Sequence, residues 1–136
     1  MTVEVVSSQG KVLCYLVRHS DEPAATQFFT KPEDPLQVGR IVHPQGHVIA
    51  PHRHQPLEAP SYLRPEALMV EQGRCELQIF DDQQRLVATR ELRARDVAIL
   101  LDCGHGFRMI EDTVLFEVKP GPYAGAAEKI YLKTST

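Results

Sequence analysis

Residues 66–101 read EALMVEQGRCELQIFDDQQRLVATRELRARDVAILL, and this stretch decides the fold. Runs 67–70 (ALMV), 75–80 (CELQIF), 86–92 (LVATREL) and 97–101 (VAILL) are short and either alternate apolar with polar residues or are rich in β-branched ones, as strands with one buried face require. Turn formers separate them: Gly73 after Glu71 and Gln72, then the Asp81-Asp82 pair. The same period extends outward to 12–17 (VLCYLV), 38–42 (VGRIV) and 114–118 (VLFEV). A Gly-rich segment at 102–106 and Pro120-Gly121-Pro122 add further breaks. Many short strands at regular spacing predict an all-β sandwich or barrel. The one helical candidate is residues 22–29, with Asp21 as its N-cap, so at most one or two short helices are expected.

The chain of 136 residues is long enough for one domain with a real core and too short for a second module, so residues 1–136 are read as one domain. No apolar run approaches the roughly 20 residues of a membrane span, and the N-terminus lacks a secretion-signal pattern, so a cytoplasmic location is expected. A net charge of −3 without clustered Lys and Arg argues against nucleic-acid binding. The three cysteines, Cys14, Cys75 and Cys103, are spaced too widely for a zinc ribbon or a redox pair, and Cys14 and Cys75 fall within apolar alternations as reduced core residues.

The chemistry concentrates in the histidines. Of six, four lie at His43, His47, His52 and His54, and His105 stands apart in the segment CGHGF. Residues two apart on an extended strand project from one face, so His52 and His54 can present two imidazoles to one point. A metal needs further donors from other strands, and Glu66 and His105 open or end later ones. Three neutral imidazoles and a carboxylate suit one divalent ion of Fe, Mn, Ni, Cu or Zn.

These residues resemble the first motif of the cupin superfamily: Gly46-HVIAP-His52-Arg53-His54, then Glu66-ALMVEQ-Gly73. The gap between the halves is longer here, with eleven residues separating His54 from Glu66. Glu58 stands at the family's usual distance from His54, but the position where a glycine should follow is Pro65, so Glu66 is preferred as the carboxylate ligand. The second motif is degraded: its Gly-Asp start is Arg95-Asp96, its Pro-x-Gly element is reduced to LLDCG, its final asparagine is missing, and His105 remains. From Arg53 to Gly125 the chain is similar to small single-domain bacterial cupins of undefined activity, some associated with surface-sugar biosynthesis. The resemblance implies a single jelly-roll β-barrel with its core at about residues 36–119, and metal ligands His52, His54, Glu66 and His105. It does not select a reaction, since one fold hosts many.

Leu68 shares a strand face with Glu66, and Phe107 and Met109 share parity with His105, so these three and Cys103 are expected to line the pocket. His19, His43 and His47 fall outside the pattern and read as surface or supporting histidines. The leading functional reading is a metal-dependent enzyme of dioxygenase or isomerase type acting on a small oxygen-bearing organic or sugar-derived molecule. The alternatives are a non-catalytic ligand-binding or structural cupin with a stabilising metal, and a metal-free epimerase of sugar nucleotides. The segment VLCYLV, with VEVV before it, can add to a partner's sheet, so a homodimer is expected.

Overall fold

The chain first reverses at Gln9 and Gly10, whose φ angles of 51° and 77° are both positive. Two left-handed residues in succession form the hairpin turn that matches the natural twist of the strands it joins. In the computed structural model, which describes residues 3–20, 25–56, 64–121, 125 and 129–133, this turn links β1 (Val3–Ser8) to β2 (Lys11–Val17). Eight further strands follow: β3 (Gln27–Phe28), β4 (Gly39–Arg40), β5 (Glu66–Gln72), β6 (Arg74–Phe80), β7 (Leu86–Arg93), β8 (Val97–Leu100), β9 (Gly104–Met109) and β10 (Val114–Val118). All pair antiparallel, in a five-stranded sheet ordered β1-β2-β8-β5-β10, a three-stranded sheet ordered β7-β6-β9, and the small β3-β4 ladder.

One core joins the two larger sheets. Leu13, Cys14, Leu16, Leu68, Val70, Ala98 and Leu100 from the five-stranded sheet pack with Cys75, Leu77, Ile79, Ala88 and Leu92 from the other. Alternation along each strand delivers these side chains to a common interior, and their burial is the main stabilising term. β1 and β2 also supply this core, through Val6, Leu13, Cys14 and Leu16. The architecture is all-β with open sheets; among the described residues no ladder closes the two larger ones into one barrel.

Gly73 makes the sharp β5-β6 reversal with φ of 90°, and a Cβ there would collide with the Asp112 carbonyl and Thr113. Only glycine meets both demands. The β7-β8 turn is held by Asp96, a buried carboxylate that accepts from Arg93 N at 2.9 Å, His19 N at 3.0 Å and Arg18 Nη1 at 3.1 Å. Just before it, Arg95 adopts φ of 72°, a conformation in which glycine would be unstrained.

The outer face of the five-stranded sheet carries a second cluster, Tyr15, Val17, Ile99 and Leu101, on which Phe29, Leu36 and Val38 pack. Tyr15 ties this covering segment down, donating from its hydroxyl to Asp34 Oδ2 at 2.8 Å. The expected helix at 22–29 is not formed in its described part: residues 21–24 lie outside the described residues, and Gln27–Phe28 is a strand paired with Gly39–Arg40. Burial of Phe29 and Val38 against the sheet outweighs weak local helix preference.

Candidate functional site

Glu66 begins β5 on the face it shares with Leu68 and Val70, both buried in the interior. His105 lies on β9 opposite Ile79 and Phe107 opposite Leu77, so these side chains also face the core. The two strands belong to different sheets, and their polar residues meet across the interior: His105 Nε2 is 3.2 Å from Glu66 Oε2. Both side chains are half-buried. The hydrogen bond with His105 holds the Glu66 carboxyl below its ordinary range, against the opposing effect of burial, and Lys119 and Glu117 act in the same direction as His105. The other imidazole nitrogen, Nδ1, is buried with no hydrogen-bonding partner.

Apolar groups lie on the core side of this pair. Phe107 sits edge-on to the His105 ring with centroids 6.2 Å apart, and Cys103 and Phe107 both pack on the core. Burial pushes the Cys103 thiol up to about 12, so at neutral pH it is a protonated, weakly polar wall rather than a thiolate. Leu68 is buried in the core, and Phe107 and Cys103 pack against it. Met109 shares the parity of His105 but is 48% exposed toward the far end of β9, so solvent rather than the interior receives much of its side chain.

The other two histidines are placed differently. His52 and His54 lie in an exposed segment without strand structure, so the extended-strand expectation fails there. Pro44, Pro51 and Pro56 lack the N–H groups a ladder needs, which explains why no strand forms. The two rings are neighbours, with centroids 5.2 Å apart at 65°. His52 Nδ1 donates to the Ala50 carbonyl at 2.7 Å, which leaves Nε2 with its lone pair outward, the tautomer of a typical imidazole ligand. His43 and His47 stack on each other at 3.8 Å in the same exposed segment. Among the described residues no three His, Cys, Asp or Glu side chains are gathered closely enough to hold a metal ion. Glu58 lies outside the described residues.

The Glu66-His105 pair, 3.2 Å apart, is a hydrogen-bonded carboxylate and imidazole; both are residue types that ligate divalent metals, and two donors held about 2.1 Å from one ion would stand about 3.0–3.4 Å apart. Sequence reasoning missed Glu117 and Lys119, which act on the charge of Glu66. Their signal was parity with Leu115: Glu117 stands opposite the buried Leu68, although it is itself exposed like Val114, Phe116 and Val118. No protein-family model, curated protein or solved structure matches the chain.

Proposed function

We propose that this chain is a cupin-like protein that binds one divalent metal ion through Glu66, His105, His52 and His54 and acts on a small oxygen-bearing molecule. The observation that carries the reading is the inward-facing carboxylate and imidazole, 3.2 Å apart on strands of two different sheets. In a jelly-roll arrangement these strands would form the fixed half of the site. The exposed segment bearing His52 and His54 would supply the other half. A bound divalent ion would supply Lewis acidity or, as iron, a centre for dioxygen chemistry.

The protein's own residues set the conditions for that chemistry. Glu66 stays ionised, so it can bind a cation without first losing a proton. Leu68, Phe107 and Cys103 exclude water on one side and restrict a substrate to modest size. A metal-free reading, in which His105 oriented by Glu66 is a general base, is less well supported. If Nε2 donates to Glu66, the remaining lone pair sits on Nδ1, which is buried away from any substrate.

The test is to chelate the protein, titrate it with Mn(II), Zn(II) and anaerobic Fe(II), and measure stoichiometry by elemental analysis. One ion per chain is expected. Glu66→Gln and His105→Ala should weaken retention by more than the about 10–100-fold typical of supporting residues, while Glu58→Gln should match the wild type. No stoichiometric ion, or unchanged retention in Glu66→Gln, would overturn the assignment. The loaded forms would then be offered keto acids, diols, thiols and sugar phosphates, with dioxygen uptake and isomer formation followed. An ion that binds and raises Tm without any turnover would indicate a structural metal instead.

A further inference from the structure

The five-stranded sheet ends on β1 at one side and β10 at the other, and the three-stranded sheet ends on β7 and β9. An edge strand presents unpaired backbone N–H and C=O groups, and charged side chains are a common guard against another chain pairing with them. Three of these four edges carry such charges. On β1, Glu4 pairs with Arg90 of β7 at 2.9 Å; β7 also exposes Glu91 and Arg93; and on β9 Arg108 reaches Glu76 at 3.4 Å.

The fourth edge, β10, is built differently. Val114, Phe116 and Val118 form an outer row that is 45%, 53% and 51% exposed, while its one charged residue, Glu117, takes the opposite parity, across from Leu68 and beside Glu66. The row has apolar neighbours across the sheet. Phe116 stands opposite Met69 and Val118 opposite Ala67, and Met69 in turn stands opposite Val97, which packs on the cluster of Tyr15 and Val17. The exposed row thus continues the apolar face that Phe29, Leu36 and Val38 cover over β2 and β8. Among the described residues no strand pairs with the far side of β10, and beyond a bulge between Val114 and Leu115 its register is regular.

We propose that two copies of the chain associate through this edge, β10 pairing antiparallel with its own copy about a twofold axis. An antiparallel edge is self-complementary, so the contact closes at two. With the axis at Phe116, the two Phe116 rings become cross-strand neighbours and Leu115 faces Glu117, so no like charges are opposed. One strand and its outer row bury less than the about 800 Å² per partner of a standard interface, so the dimer is weak and dissociates on dilution. The inference does not rest on the metal reading. Sedimentation velocity of the full chain from micromolar to millimolar concentration should show a monomer–dimer equilibrium. Hydrogen exchange at the two ends of that range should slow at the β10 amides on association and stay unchanged at β1. Phe116→Lys, which sets two like charges against each other and removes the apolar contact, should weaken dimerisation by at least about tenfold, while Val5→Lys, on the exposed face of β1, should leave it unchanged. A chain that stays monomeric throughout, as it would if the edge awaited a strand of another protein, overturns the proposal. So does association into open-ended aggregates, protection at β1 instead of β10, or a dimer indifferent to Phe116→Lys. The exchange measurement requires no variant to fold.

Discussion

His105 and the pair His52 and His54 carry the same chemistry but are held by different physics. His105 is fixed by register: β9 pairs along β6 from Gly104 to Met109, and each pair sets which neighbour faces the core. His52 and His54 rest on an exposed segment in which a local bond, His52 Nδ1 to the Ala50 carbonyl, supplies the order. A ladder-held group inherits the stability of the whole sheet, whereas a segment-held group opens at much lower cost. In this protein a site drawing on both would be half preformed and half assembled by its ligand.

That contrast can be broken at its strongest point by Ile79→Ala. Ile79 is fully buried directly opposite His105, and the cavity should cost about 2–5 kcal/mol in denaturant unfolding. A cost below about 0.5 kcal/mol, the level of an ordinary surface change, would mean that the β6-β9 ladder does not hold His105. Gly73→Ala tests the turn that sets the register of β5 and thus of Glu66. Positive φ together with the clash at Asp112 should cost about 2 kcal/mol, read as a drop in Tm. At the small end, His52→Ala and His54→Ala in metal-free protein should change stability by less than about 0.5 kcal/mol. A larger loss would show that their segment is packed into the fold, erasing the distinction.

Where period 2 ran through β-branched and aliphatic residues, strands were legible. The 114–118 run coincides with Val114–Val118, and 75–80 falls short of Arg74–Phe80 by one residue. β9 was harder to see, because Gly104 and Gly106 flank His105 and imitate a turn; only its pairing with β6 makes that stretch a strand. The segment VLCYLV with VEVV before it forms a hairpin within the chain, because Gln9 and Gly10 fold β1 back on β2, and β1 is left as an edge of the five-stranded sheet. At the site, parity placed Glu66, Leu68, His105 and Phe107 on inward faces. It could not place His52 and His54, since parity has meaning only in a ladder and the prolines around them prevent one.

Tyr15 gives the covering segment an alkaline limit. Its phenol would have to shed a proton inside a buried site, next to the Asp34 carboxylate, and burial first and Asp34 second push its pKa from 10.0 up to about 12. Because the folded value is the higher one, the unfolded chain releases that proton first. The contribution of the Tyr15-Asp34 clip to folding is therefore complete below pH 10.0 and drains away as the pH climbs toward about 12. The interior face has an alkaline dependence of its own through its thiols, since burial raises Cys14, Cys75 and Cys103, which all lie in or against the shared core. Strong base would thus act on both faces of the sheet, by releasing the outer clip at Tyr15 and by forcing charge onto thiols within the shared core.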